Sequence, residues 1–313
     1  MLKISVIIPA YNVELYIQKA ILSALNQNET GEVLIVNDGS TDDTVLIIEN
    51  LILSHKKLRL LHHPKGENKG RSASRNLGIK NAVYDYISFL DADDFYLENR
   101  FSQELNLFSN NNPIDGVYNA IGVHFYRKAS INEKENLKVT TLSKRVNSKD
   151  LFSELLRGKS GCFSLDGFTV KKSALVSINF FNESLAVMED TELIWKLCIK
   201  SVLVSGDLVN PVAMRGVHDY NVFNNKGAYK VVHLKFYESL FFWSVQEKLE
   251  ASIIECFLER VWLVKKEERR GIIIECLYWM ELVLNSFSVL FTSLHYKYNP
   301  LNRLRYVFRN SKS

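Results

Sequence analysis

Over residues 3–90, four short apolar runs alternate with segments of helical periodicity, and this alternation limits the folds open to the chain. The runs are residues 3–8, 32–36, 58–62 and 85–90; the first is β-branched, the fourth aromatic, and all four read as strands. Between them, residues 14–28, 43–54 and 72–82 read as helices; the first places Leu15, Ala20, Ile21, Ala24 and Leu25 in apolar rows. A β-α-β-α-β-α-β order gives a parallel sheet with helices on its faces. The first run stops at Pro9-Ala10-Tyr11-Asn12, where Pro9 should prevent it from continuing as a central strand. The second stops at Asn37-Asp38-Gly39-Ser40-Thr41-Asp42-Asp43 and the fourth at Asp91-Ala92-Asp93-Asp94. In parallel strands these polar ends meet on one edge, the edge where open α/β sheets bind ligands.

Asp91 and Asp93 stand one residue apart, so both can reach a hard divalent cation, and such a cation usually also holds a phosphate. The plainer reading is a solvated acidic turn, with Asp94 capping a helix over residues 95–108. Asp38 also has two readings. It can accept the N–H of a nucleotide base, or close an Asx-turn with Gly39 or Ser40. Ser40 or Thr41 can cap the helix that follows. The turn after the first strand lacks the glycines of a dinucleotide fold, which argues against NAD. Residues 66–72, G-E-N-K-G-R-S, fall one residue short of a P-loop and carry Arg71 where that motif has lysine.

The chain has 313 residues, enough for a catalytic domain with added elements, and is 47% hydrophobic, enough for a sizeable core. A net charge of +4 is too small to imply nucleic acid. The four cysteines lack C-x-x-C spacing, which argues against a zinc site and a disulfide framework and fits a reducing cytoplasm. Met1-Leu2-Lys3 runs straight into a strand, with no sign of a signal peptide.

The blocks P-A-Y-N, V-N-D-G-S-T-D, N-K-G-R-S-A-S-R-N-L-G-I and F-L-D-A-D-D resemble glycosyltransferase family 2, in that family's order and at its usual spacing. The resemblance implies a GT-A-type nucleotide-binding sheet with helices on both faces. It implies an inverting transfer of a sugar from a nucleotide-sugar, a UDP-sugar first, to a hydroxyl of a surface glycan or lipid-linked saccharide. Pro9, Ala10 and Tyr11 would line the base and ribose pocket, and Asp38 would hold the base edge. Asn68 and Arg75 would face the nucleotide, against the plainer readings of a loop contact and a surface helix charge. Asp91-Ala92-Asp93 would be the D-x-D motif, with Asp91 near ribose and metal and Asp93 a direct ligand of Mn²⁺ or Mg²⁺.

Farther along, F-F-N-E-S-L followed by M-E-D-T-E resembles the block in which the family keeps its catalytic base, here Asp190. The chemistry needs such a carboxylate, because the acceptor hydroxyl must lose its proton as it attacks. The plainer reading is an acidic helix start. Arg215 and His218 resemble an R-x-x-H block, implying a diphosphate contact and a metal ligand respectively; where relatives often carry Ser or Thr after it, this chain has Asn221. Between the blocks, residues 115–123 read as a strand, 126–147 as a polar loop or a mobile hairpin, 148–157 as a helix capped by Ser148, and 163–170 as a strand.

Residues 1–220 are expected to form the transferase domain, with 1–94 as its nucleotide half and 95–220 as its acceptor half. Residues 221–313 read as a helical extension, with helices over 229–248, 250–265 and 267–294. The last stretch is basic, with Arg303, Arg305, Arg309 and Lys312, and reads either as a solvated tail or as an anchor on an anionic membrane. Homo-oligomer contacts through these helices, and a location in the cytoplasm or at the inner membrane face, complete the expectation. Two other classes share the broad pattern. A nucleotidyltransferase would show a Gly-rich basic turn after its first strand; a non-catalytic partner would not need Asp91, Asp93 and Asp190.

Overall fold

The structure is a computed structural model, and it describes residues 2–109, 113–219, 221, 226–267, 271–287, 289 and 292–301. The chain divides into two compact units, Met1–Asn225 and Lys226–Ser313.

In the first unit, β1 (Ile4–Ala10), α1 (Ile17–Leu25), β2 (Thr30–Asn37), α2 (Thr44–Ile52), β3 (Leu58–His62), α3 (Arg71–Asn81) and β4 (Tyr86–Phe89) follow the expected alternation. All pairings among these four strands are parallel. Alternate residues of β1 serve the two faces of the sheet. Ile4, Val6 and Ile8 share a core with Ile17, Ala20, Ile21, Ala24 and Ile48 of α1 and α2. On the other face Ile7 meets α3, and Gly78 allows that approach: a Cβ there would stand 2.5 Å from Ile7. Burying each such Ile or Val contributes roughly 1.5–3 kcal/mol.

The chain then runs through β5 (Phe95–Tyr96), α4 (Ser102–Ser109), β6 (Gly116–Tyr118), β7 (Ile121–Phe125), α5 (Ile131–Asn136), α6 (Ser148–Arg157), β8 (Phe168–Lys171), α7 (Lys172–Ser177), α8 (Glu189–Lys200), β9 (Leu203–Ser205) and β10 (Ala213–Val217). The seven-stranded sheet has the order β3-β2-β1-β4-β8-β6-β9, and a second sheet has the order β5-β10-β7.

Several local expectations are corrected. Pro9 lies inside β1, a central strand; pairing with β4 ends at Ile7↔Phe89, so Pro9 pairs only with Val36 and its missing N–H leaves no gap in the ladder. Residues 95–108 are not one helix: β5 comes first, and α4 starts at Ser102. The expected strand over 115–123 is two strands in different sheets. The polar stretch 126–147 contains α5, closed by a capping box of Ser130 and Glu133. Asn147, not Ser148, caps α6 by accepting from the Lys149 N–H at 3.1 Å.

The second unit comprises α9 (Lys226–Gln246), α10 (Ala251–Glu267), α11 (Ile272–Asn285) and α12 (Ser293–Tyr298). Phe236, Leu240, Phe241, Phe257, Leu258, Val261 and Leu282 are buried there. No helix among the described residues is long and apolar enough to cross a membrane. Arg303, Arg305, Arg309 and Lys312 lie outside the described residues.

Candidate active site

The ends of β1 and β2 are laced together by their own polar residues. Asn12, with φ at +51°, accepts the Thr41 N–H at 2.8 Å, and the Asn12 N–H donates to Ser40 Oγ at 3.1 Å. The two clusters therefore form one surface, with Ala10 buried and Tyr11 exposed. Ser40 and Thr41 are spent on this contact, so neither caps α2; Asp42 Oδ1 accepts the Thr44 N–H instead.

Asp38 has a task that the sequence did not suggest. Asn37 closes the turn by accepting the Ser40 N–H, so Asp38 forms no Asx-turn. Its carboxylate accepts the backbone N–H groups of Lys69 at 2.6 Å and Gly70 at 3.0 Å, while His63 Nε2 stands 3.5 Å away. Side-chain exposure of only 5% leaves little open edge for a base. Asp38 pins down the loop that carries Asn68, which is exposed. Gly39 lets that loop approach, since a Cβ would stand 2.8 Å from the Gly66 carbonyl oxygen, and its φ is +79°.

Helix α3 buries polar residues. Ser72, Ala73, Ser74 and Gly78 are small, so the helix sits close against the rest of the unit and carries Arg75 and Asn76 inside. A buried guanidinium requires partners. Arg75 is 2% exposed; it donates to Asp91 Oδ1 at 2.7 Å and to Glu189 Oε1 at 3.0 Å. This overturns the reading of Arg75 as a surface charge. Asn76 holds the later F-N-E block by donating to the Phe181 carbonyl at 3.0 Å and to Glu183 at 2.9 Å, and by accepting the Phe181 N–H. Met188, with φ at +66°, turns the chain into α8, and Glu189 at its first position also meets Arg71 Nε at 3.3 Å.

Four aspartates converge from the turn after β4 and the turn before β8. Asp91 accepts from Arg75 through its side chain, and its N–H donates to Asp166 Oδ1 at 3.0 Å. Asp94 does not cap a helix: its Oδ1 accepts the Gly216 N–H at 2.7 Å, and the residue is buried. Asp93 Oδ2 faces His218 Nε2 at 2.8 Å and Asn221 Nδ2 at 3.1 Å. Tyr16 stacks on the His218 ring, with centroids 4.8 Å apart. Asp166 was missed by sequence reading. Its only signal was an Asp-Gly pair that interrupts an apolar run, and that pair forms the short turn Leu165–Gly167.

The electrostatics differ within the cluster. Burial raises the Asp91 carboxyl, but Arg75, helped by Arg71 and Arg215, outweighs it and holds the group below the usual range. Asp93 is pushed up by burial and by Asp91, against His218. Asp94 is pushed well above the usual range by burial and then by Asp166, Asp93 and Asp91. Burial and Asp91 also raise Asp166. Oxygens of Asp91, Asp94 and Asp166 lie within 4.8 Å of one another, a spacing that a metal ion could bridge, but Asp94 and Asp166 are buried and already accept backbone N–H groups. Hard oxygen donors of this kind suit Mg²⁺ or Mn²⁺. Within the cluster, Asp91 and Asp93 are the open members, at 39% and 24% side-chain exposure.

Two further groups border the acids. Arg215 on β10 makes no hydrogen bond or ion pair among the described residues, yet it stands in the field of Asp166, Asp94, Asp91 and Asp190. Asp190, at the second position of α8, is half-buried and accepts the Thr191 N–H and hydroxyl on Oδ1. A separate groove of about 570 Å³, lined by Leu15, Lys19, Leu22, Asn26, Phe95 and Glu98, contains none of these acids.

Comparison with known proteins accords with this geometry. The model of Glycosyl transferase family 2 matches residues 5–165. An uncharacterized glycosyltransferase of Haemophilus influenzae is 33% identical over 180 residues, which is 57% of this chain and 66% of that protein. Minor teichoic acid biosynthesis protein GgaB of Bacillus subtilis is 36% identical over 194 residues, 61% of this chain but only 20% of its own length. The chain thus spans less than two thirds of these relatives. Among solved structures, S. aureus TarS 1-349 in complex with UDP-GlcNAc superposes with a TM-score of 0.62 at 19% identity, covering 83% of this chain and 72% of that one. That likeness shows the fold, a GT-A-type sheet flanked by helices. By the match over half its length, the chain belongs to glycosyltransferase family 2.

Proposed function

We propose that this chain is an inverting glycosyltransferase that moves one sugar from a UDP-sugar to a hydroxyl of a surface glycan or lipid-linked saccharide. The observation that carries the reading is the meeting of Arg75, Asp91, Asp93, Asp190, Arg215 and His218 from four separate elements at one sheet edge. The UDP-GlcNAc of the similar TarS structure supports the donor class, and the teichoic acid role of GgaB supports the acceptor class.

In this reading Pro9, Ala10 and Tyr11 take the base and ribose, with the loop of Asn68 held beside them by Asp38. Asp91, Asp93 and His218 are the residues that would hold Mn²⁺ or Mg²⁺, because Asp94 and Asp166 are sealed and committed to backbone partners. When bound, the ion supplies positive charge that offsets the charge of the departing nucleoside diphosphate. Arg215, which lacks a protein partner among the described residues, reaches the same diphosphate. Arg75 keeps Asp91 ionised and fixed. Asp190 removes the proton of the acceptor hydroxyl as that oxygen attacks the anomeric carbon. Ala92 spaces the two outer acids of the D-x-D turn. The remaining contribution is the holding of donor against acceptor.

Calorimetric titration with UDP, GDP and ADP, with and without Mn²⁺, tests the donor site. Tight Mn²⁺-dependent binding of UDP is expected; binding of none of the three would refute the reading. Asp190→Asn should keep UDP affinity and lose at least about 10²-fold in transfer rate. Unchanged turnover would remove Asp190 from its role.

A further inference from the structure

Helix α11 has two apolar faces, one buried and one exposed. Tyr278, Trp279, Leu282 and Val283 are buried. Every described helix that touches them does so there: the Tyr278 hydroxyl donates to Glu238 of α9, Trp262 of α10 packs on both aromatic rings, and His295 of α12 lies 5.8 Å from Trp279. On the opposite face stand Ile273, Leu277, Met280 and Leu284, at spacings of four, three and four. Ile273 and Leu284 leave 74% and 78% of their surface in solvent.

We propose that this face pairs with the same face of a second copy of the chain, forming a two-fold dimer. This inference is independent of the transferase reading. The spacing selects the occupant. Apolar residues repeating every 3.5 positions are what a helix presents to another helix in knobs-into-holes packing, with Leu277 and Leu284 in one row of knobs and Ile273 and Met280 in the other. With Ile274 beside them, these side chains expose on the order of 600 Å², about three quarters of the roughly 800 Å² per partner of a standard interface. The charge argues against lipid. Glu281 is exposed on the same side, between Leu277 and Leu284. A carboxylate there is costly in a bilayer and is repelled by anionic headgroups, whereas flanking a helix seam it occupies the usual charged position. A self-complementary patch closes with two-fold symmetry and leaves no open end.

Sedimentation equilibrium of the full chain, up to on the order of 100 µM, tests the proposal. Twice the chain mass is expected. Leu277→Asp with Leu284→Asp, which places four carboxylates in the seam, should weaken the dimer by at least about 100-fold. Leu53→Asp, at an equally exposed leucine outside α11, should leave the dimer intact. A single-chain mass for the wild type overturns the proposal, as does a dimer that survives in a double variant with unchanged circular dichroism. So does a wild type that stays monomeric but sediments with anionic vesicles, which would make the face a lipid contact. Met280→Cys gives a measurement that does not depend on tolerating charge. Met280 lies near the centre of the exposed face, so a two-fold axis through that face brings it beside its own copy. Mild oxidation should therefore link it into dimers that neither the wild type nor Leu53→Cys forms; equal linking in all three overturns the proposal.

Discussion

Arg75 and Arg100 are both almost sealed from solvent, and each faces a buried glutamate, yet the two networks do opposite things. Arg100 donates to Glu104 at 2.6 Å, to the Asp166 carbonyl at 3.0 Å, and to Ser88 and Thr169. Glu104 also takes Asn119 and Thr169, and both charges are fully buried. Arg75 also holds a buried acid, Glu189, but its second partner, Asp91, is 39% exposed at the sheet edge. One network closes on itself and fixes the fold. The other ends on an acid that a ligand can reach. They meet at Asp166, whose carbonyl takes Arg100 and whose carboxylate takes the Asp91 N–H, so the closed network also sets the position of the open one.

This contrast can be broken by experiment. Arg100→Met leaves Glu104 buried without its counter-charge and should cost about 3–5 kcal/mol, read as a fall in urea midpoint. Arg75→Met should cost less, about 1.5–3 kcal/mol, because Glu189 keeps Arg71 and Asp91 can rehydrate. The same variant should weaken UDP binding, which Arg100→Met, measured while folded, should not. Equal stability losses, or a donor defect in Arg100→Met alone, would erase the distinction. Asp91→Asn should move stability by no more than about 1 kcal/mol yet reduce Mn²⁺-dependent nucleotide affinity at least about tenfold, checked by calorimetry. The smallest effect is expected for Arg71→Ala, whose ion pair is one-third exposed: at most about 1 kcal/mol in a thermal melt.

Much of the first half was legible in advance. The alternation of strand and helix patterns through β4 named the sheet, and the polar strand ends named the edge where those residues gather, because both follow from local pattern. The unreadable parts have a common cause. Asp94, Asp166 and Asn76 make their contacts across long sequence separations, to Gly216, Asp91 and Phe181. No local period encodes such a partner. Arg75 illustrates the limit: in sequence it is a cation on a polar helix, and only the small residues around it, packed against a sheet, take it inside. Pro9 was misread for a related reason, since whether a strand tolerates proline depends on where its neighbour ends.

What the sequence determined by itself was the order of elements and the residue types available at one edge: acids after β4, a carboxylate at the start of α8, an arginine on β10 and a histidine just after it. These come from periodicity and from short motifs whose spacing is covalent. What only the tertiary structure decided was which of those groups are exposed, which are neutralised, and which spend their hydrogen bonds on backbone. Asp91 stays ionised and open while Asp94, three residues on, is sealed among other acids. Two carboxylates so close in the chain differ because desolvation and neighbouring charge are properties of packing, and packing is set by residues from every part of the chain.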